Sequence, residues 1–414
     1  GQATISWLNN DKGFQLDGRN IDVKAKAVHA RGGFRYLQPA NDEPWLGILA
    51  GISTDDGSQA WRYFPENLMG KDLVDYLSGA IQGGEADNAT LVYGGNPQLF
   101  PYKHNEGQFE VLVPLRNAKF AFQPDWPALT NLDIELDFIN DGLWMKTDGV
   151  NLGGVRASNL TAVIPDYSKE KLLIDADIKG PGKAVGPYFD ETPLKDSLGA
   201  TLQELQLDGD VNARLHLDIP LNGELVTAKG EVTLRNNSLF IKPLDSTLKN
   251  LSGKFSFING DLQSEPLTAS WFNQPLNVDF STKEGAKAYQ VAVNLNGNWQ
   301  PAKTGVLPEA VNEALSGSVA WDGKVGIELP YHAGATYNVE LNGDLKNVSS
   351  HLPSPLAKPA GEPLAVNVKV DGNLNSFELT GQAGADDHFN SCWLLGQKLT
   401  LDRAIWAADS KTLP

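Results

Sequence analysis

The feature that most constrains this chain is a two-residue alternation of apolar and polar side chains that recurs along its length. Leu132, Ile134, Leu136 and Phe138 alternate with Asp133, Glu135 and Asp137. Val211, Ala213, Leu215, Leu217 and Ile219 alternate with Asn212, Arg214, His216 and Asp218. The pattern returns in Leu276, Val278 and Phe280, in Tyr289, Val291, Val293 and Leu295, in Tyr337, Val339 and Leu341, and in Leu364, Val366, Val368 and Val370. Successive side chains of a strand point to opposite faces, so each run makes a strand with one apolar and one wet face. That is the habit of antiparallel sheets; a parallel sheet covered on both sides reads as continuous apolar runs. The 41 Gly and 24 Pro supply the turns that many short strands need. The fold class is therefore mostly β.

Helices are few. Pro65 opens one, with Met69, Leu73, Leu77 and Ile81 at helical spacing and Gly83-Gly84 as its stop. A second is expected from Thr192-Pro193, with Leu194, Leu198, Leu202 and Leu205 on one face, and a third from Pro308 through Val311 and Leu315 to Gly317. Each is followed by strands, a strand-ending proline (Pro101, Pro220, Pro330), a Leu-basic-Asn tripeptide and a further proline (Pro124, Pro243, Pro353). The tripeptides, Leu115-Arg116-Asn117, Leu234-Arg235-Asn236 and Leu345-Lys346-Asn347, lie 119 and 111 positions apart. Phe138-Ile139-Asn140 also returns 119 positions later, as Phe257-Ile258-Asn259. Ordered recurrence of this kind marks one supersecondary unit stacked in series. It divides the chain into the trailing strands of a preceding unit (1–64) and three helix-opened units (65–192, 193–307 and a truncated 308–414). The chain starts and stops mid-pattern, as a segment of a longer protein does.

Each unit offers about five strands and one short helix, and one helix cannot cover five strands. Exposed apolar surface costs about 25 cal/mol per Å². Three solutions remain: two sheets packed as a sandwich, a solenoid with a dry core, or a trough filled by something apolar. The apolar faces are Val, Leu, Ile and Phe with no polar residue at regular intervals, which suits acyl chains or a core that fills itself.

Several functions are argued against. The net charge of −17 leaves no basic footprint for nucleic acid or for adhesion to an anionic membrane surface. The single cysteine, Cys392, allows no intrachain disulfide, and the six His show no zinc-site spacing. Asp386-Asp387-His388 lies in a Gly-rich turn and lacks a second ligand pair, so no metal is assigned. Asp175 and Asp177 alternate with Ile174 and Ile178 on a wet strand face, and no Gly-x-Ser-x-Gly motif occurs. The longest apolar run, Trp45 to Ile52, is too short to span a bilayer. Ten Trp leave open a carbohydrate-binding β-protein; Trp126, Trp144, Trp271, Trp299, Trp321 and Trp393 look scattered among turns and strand ends rather than clustered.

The stretch Phe64-Pro65-Glu66-Asn67-Leu68-Met69-Gly70 through Gly84, with the strand-rich units after it, resembles the AsmA-like proteins of the Gram-negative envelope, of the YhdP type. The resemblance implies a repeating β-groove: a long, twisted, U-shaped antiparallel sheet with an apolar interior and short helices at repeat boundaries. It implies a middle segment of a protein anchored in the inner membrane, which carries phospholipid across the periplasm towards the outer membrane, with envelope proteins as further partners. No catalytic motif and no cofactor come with it. The groove would be lined by Leu132, Ile134, Leu136, Phe138, Val211, Leu215, Leu217, Ile219, Val278, Phe280, Val291, Val293, Leu295, Val339, Leu341, Val366, Val368 and Val370. Arg116, Arg235 and Lys346 would either cap turns or meet phosphate headgroups at the rim. Apart from the resemblance, the position of the helices at 65–82 and 193–205 leads to the expectation that they plug or lid the trough at unit boundaries. The alternative is a sugar-binding or purely structural β-solenoid scaffold of the envelope.

Overall fold

The computed structural model describes residues 1–242, 245–305, 307–354, 356–396 and 399–408. Pro243, one of the repeated prolines, lies outside them. Among the described residues, twenty-four strands belong to one antiparallel sheet and two more form a separate ribbon. The chain divides into two compact units, the first made of Gly1–Lys179 with Arg214–Lys229, the second of Gly180–Ala213 with the residues from Gly230 on.

In the first unit the strands run as a meander in chain order: β1 (Gln2–Asn10), β2 (Gly13–Lys24), β3 (His29–Pro39), β4 (Trp45–Thr54), β5 (Ile81–Gly95), β6 (Gln108–Phe120), β7 (Leu129–Ile139), β8 (Gly142–Leu152), β9 (Val155–Ile164) and β10 (Lys171–Pro181). Residues directly opposite in an antiparallel pair share a face. Register therefore carries one apolar face from strand to strand, through Phe34–Ile48–Tyr93–Phe109 and through Val111–Phe138–Leu143–Ile164. We call this the inner face.

β12 (Asp210–Pro220), whose residues from Arg214 on belong to the first unit, pairs β10 there; in the second unit β11 (Leu205–Asp208) pairs β13 (Thr227–Ile241). β14 (Ser246–Ile258) pairs both β15 (Asp261–Ser264) and β16 (Leu267–Trp271), and these pair β17 (Gln274–Glu284). The meander continues through β18 (Ala288–Trp299), passes over the short β19 (Leu315–Gly317) to β20 (Val319–Pro330), and reaches β21 (Thr336–Asp344). After β22 (Val348–Ser350), which pairs β19, it resumes with β23 (Ala365–Asn373), β24 (Ser376–Ala383), β25 (Asp387–Leu395) and β26 (Leu399–Ala407).

The helices fall near their expected places, with different boundaries. The first is broken into α1 (Glu66–Met69) and α2 (Lys71–Ala80) by Gly70, whose φ of 84° few residues other than glycine adopt. It ends at Ala80, before Gly83-Gly84, and Ile81 already belongs to β5. The second starts earlier than Thr192, as α3 (Val185–Phe189), then continues through a π turn at Lys195–Gly199 into α4 (Ala200–Glu204). The third is α5 (Glu309–Ala314), with Leu315 and Gly317 passing into β19. In all three regions the last expected apolar position of the helix is taken over by a strand, because ladder hydrogen bonds compete successfully with a final helical turn. Pro220 and Pro330 end β12 and β20, whereas Pro101 lies in the loop after β5.

The 119-residue recurrence has a backbone counterpart. Asn117, Asn131 and Asn140 take left-handed φ of 48°, 52° and 50°, and Asn236, Asn250 and Asn259, each 119 positions on, take 54°, 54° and 53°. Asparagine tolerates this region better than other side chains that carry a Cβ. At Asn117 the ladder of β6 with β7 slips between Leu115 and Ala118, and the freed Asn117 N–H donates to Asp133 Oδ1. At Asn236 the N–H donates to Ser252 Oγ, from the position equivalent to Asp133. The first tripeptide is thus a β-bulge, and the second repeats its left-handed asparagine and the side-chain bond to its N–H. The third, Leu345–Asn347, is a 3₁₀ turn, with Asp344 Oδ1 accepting from the Lys346 N–H.

Asn237, fully buried, stabilises the backbone at the second tripeptide: its Nδ2 donates to the carbonyls of Asp208 and Asp210 at 3.0 Å each, and its Oδ1 accepts from the Arg235 N–H at 2.8 Å. We predict that Asn237→Ala, which leaves those buried groups without partners, destabilises the protein by about 2–3 kcal/mol in urea unfolding. Asn236→Gly, which keeps a residue suited to positive φ, is predicted to change stability by under about 0.5 kcal/mol.

Candidate functional site

The inner face is the candidate site, and its cover differs from place to place. In the first unit Leu132, Ile134, Leu136 and Phe138 are all 8% exposed or less. They share one packed cluster with Leu115 of β6, Leu143 and Met145 of β8, Ile164 of β9 and Ile174 of β10. Met69, Leu73, Val74 and Leu77 of α1 and α2 belong to the same cluster. Outer-face neighbours such as Leu112, Trp144 and Val163 do not, which places the helices against the inner face. Full burial of a leucine or phenylalanine contributes about 1.5–3 kcal/mol, so this cluster is a core in its own right. Ile219 of β12 joins it as a buried residue and Leu217 as a partly buried one, while Leu215 is half-buried.

The inner face of β1–β5 is more open. Phe14, Phe34, Ile48 and Tyr93 are half-buried, and Trp7, which pairs with Leu16, is 72% exposed.

The second unit shows the same contrast. Val211 and Val278 sit in a buried cluster with Leu234, Leu251, Leu267 and Leu276. Phe280, Val293 and Leu295 pack against its margin, and Val291 is buried. From there register lays out three apolar rows across the strands. One runs Phe280–Val293–Val325–Val339–Val370–Leu379. The next runs Val278–Leu295–Gly323–Leu341–Val368–Gly381–Phe389. A third links Trp321, Gly343, Val366 and Ala383. Val293, Leu295, Val339, Leu341, Val366, Val368 and Val370 are each half-buried. The pattern puts every one of these expected lining residues on one face, and covers those of β7 far more fully than those of β21 and β23.

The outer face is polar in the same register. Asn294 Nδ2 donates to Asp279 Oδ1 at 2.7 Å, Asn277 to Asn296 at 3.0 Å, and Asn367 to Asn342 at 2.6 Å. In the first unit Lys146 pairs with Glu135 at 2.9 Å, and His216 with Asp175 at 2.9 Å. Exposed pairs of this kind each contribute about 0–1 kcal/mol, so they fix facing more than stability. Asp175 and Asp177 are engaged with His216 and Arg214 across β10 and β12, not with each other.

The expected headgroup contacts have different surroundings. Arg116 is exposed and ion-paired with Asp87. Arg235 follows the buried Leu234 and is exposed, as is Lys346. The tryptophans correct the expectation that they are scattered: Trp271, Phe272, Trp299 and Trp321 come together, with Trp299 and Trp321 edge-on at 4.7 Å. Strand register gathers what sequence distance separates. These rings pack against the second cluster, and Trp271 Nε1 donates to Ser246 Oγ and Trp299 Nε1 to the Pro275 carbonyl. Asp387 and His388 lie in β25, and among the described residues no group of three His, Cys, Asp or Glu is placed to hold a metal.

One carboxylate is out of balance. Asp137 is half-buried with its Oδ1 unpartnered, and burial, then Glu110 and Glu135, raise its pKa above the ordinary value. The native state therefore holds this proton more tightly than the unfolded chain, so stability from this group falls as pH rises through the raised pKa. We predict that Asp137→Asn raises the thermal midpoint at pH 7, and that its advantage over the parent shrinks as pH falls towards 4, followed by circular dichroism melts.

The fold and site together define a mostly antiparallel β-protein in which each unit carries an apolar inner face, sealed in some places and open in others. The chain belongs to the YhdP family: the family model described as YhdP protein matches residues 1–414. It is 99% identical, over its whole length, to the intermembrane phospholipid transporter YhdP of Escherichia coli (strain K12), and spans 33% of that protein. No solved structure matches the chain. Among the described residues no helix is long and apolar enough to cross a membrane.

Proposed function

We propose that this segment holds phospholipids by their acyl chains on the open inner face and lets them pass along it, within a periplasmic bridge between the inner and outer membranes. The observation that carries this reading is the set of apolar rows across β18, β20, β21, β23 and β24, half-buried although they lie on one continuous face. Leaving such a face to water costs about 25 cal/mol per Å², and hydrocarbon laid on it removes that cost. The rows of Val and Leu offer acyl chains no polar partner, so no single position traps a lipid, and headgroups stay in water. The transporter described for the near-identical relative supports phospholipid as the substrate class.

In this reading the residues expected to line the groove do so to different degrees: Val293, Leu295, Val339, Leu341, Val366, Val368 and Val370 meet lipid, and the buried Leu132–Phe138 run forms the wall beneath a helix. Arg235 and Lys346 are free to approach phosphate, whereas Arg116 reaches it only by releasing Asp87. The units 65–192, 193–307 and 308–414 are successive lengths of groove. The work is binding and translocation, with no covalent step.

Site-specific photo-crosslinking in cells tests the proposal, with a benzoylphenylalanine probe at Val293 or, as the outward control, at Asn294. Phospholipid captured at 293 and not at 294 is the expected result. Capture of protein alone at 293 would mean that the sheet fills its own inner face and acts as a scaffold.

A further inference from the structure

Within the first unit the inner face is dressed in two ways, half-buried on β2–β4 and buried on β7, on the Leu143–Met145 stretch of β8 and on β6 from Leu115 on. The difference is made by the segment from Phe64 to Ala80. Met69, Leu73, Val74 and Leu77 are 0–7% exposed, and the Phe64 ring packs on Phe138 at 5.9 Å. On its other side α2 carries Lys71, Asp72 and Asp75, all exposed, with Lys71 and Asp75 ion-paired one turn apart.

Among the described residues, the hydrogen bonds that tie the helix to its surroundings lie towards its Ala80 end. The Ala121 N–H donates to the Ala80 carbonyl at 2.8 Å, and Tyr76 Oη donates to the Phe122 carbonyl at 3.2 Å. At the other end Gly70 joins α1 to α2 at φ 84° and ψ 152°, with nothing within 4 Å of where a Cβ would stand. The bend there is set by backbone freedom, not by packing. Contact with the strands is made by apolar side chains, which can separate without breaking a hydrogen-bond ladder.

We propose that α1 and α2 form a displaceable internal plug, whose Met69, Leu73, Val74 and Leu77 side chains occupy the place of an acyl chain on the inner face of β6–β8. Lipid reaches that wall when the helix swings out about Gly70 and its anchored Ala80 end. The wall is covered by hydrocarbon in both states, so the exchange leaves none of its surface to water. The plug makes this stretch a point of control on passage, and it rests on the lipid-groove reading.

The test uses the full-length protein in intact cells, with a benzoylphenylalanine probe replacing Phe138, another aromatic side chain, and a separate probe at Val293. In the unaltered protein the Phe138 probe is expected to crosslink residues 64–80 and to capture at least about ten-fold less phospholipid than the Val293 probe, since the closed state dominates a local opening equilibrium. Leu73→Ala with Leu77→Ala keeps helix propensity but weakens the plug, and is expected to raise lipid capture at 138 several-fold. Equal capture at 138 and 293 in the unaltered protein would overturn the plug, as would no rise in the double variant while 293 still captures lipid. Absence of lipid at 293 would sink the groove reading instead. Should the double variant not fold, hydrogen exchange on the unaltered protein decides: amides of 73–80 are expected to exchange at least about ten-fold faster than those of 132–138, and equal protection would rule out separate opening of the helix.

Discussion

A sheet with one apolar face must find cover for it, and every other feature of this chain answers that requirement. Antiparallel pairing keeps Val, Leu, Ile and Phe in register, so within each unit the apolar surface of one strand meets that of its partner, as on β6–β7 and on β18, β20, β21 and β23. Where Leu132, Leu136 and Leu143 lie, α1 and α2 supply the cover, and the residues are as inaccessible as any globular core. Where Val339, Leu341 and Val368 lie, the cover is partial. A face that is apolar throughout but sealed only in places suits a protein whose missing cover is a mobile hydrocarbon.

Register has to be held for this to work, because a slip of one residue would exchange the two faces. The outer-face pairs, such as Asn294 with Asp279 and Lys146 with Glu135, reward the correct facing at little cost in solubility. The left-handed asparagine at 117 lets a strand absorb an extra residue at a fixed position, and Asn236 repeats its backbone conformation 119 positions on. Ligation of the backbone there by Asn237 shows that the conformation is built in, since a buried amide satisfies three backbone groups around it. The 119-residue spacing is therefore kept by backbone geometry as well as by apolar pattern.

Much of this was legible in the sequence. Period-two runs gave strand identity and facing for Leu132–Phe138, Val291–Leu295 and Val366–Val370, because alternation is a local property that survives any arrangement of the strands. The helix at 66–80 was visible from Met69, Leu73 and Leu77, but its end was not, since Ile81 fits a helix face and a strand equally well. Which lining residues are sealed and which are open could not be read, because cover is supplied by segments distant in sequence: Phe64 meets Phe138 only through the fold. The meeting of Trp271, Trp299 and Trp321 was hidden for the same reason, as was the third tripeptide's 3₁₀ turn, whose letters match the pattern of the first two.

Whether hydrocarbon completes the cover of the inner face is decided by the lipid bound to the protein itself. Native mass spectrometry of the full-length protein, released from mild detergent, counts phospholipids per chain. A ladder of bound phospholipids, more than one per chain and varied in acyl composition, is the expected result, as featureless apolar walls allow. A lipid-free protein that stays folded and soluble without detergent would contradict a hydrocarbon cover.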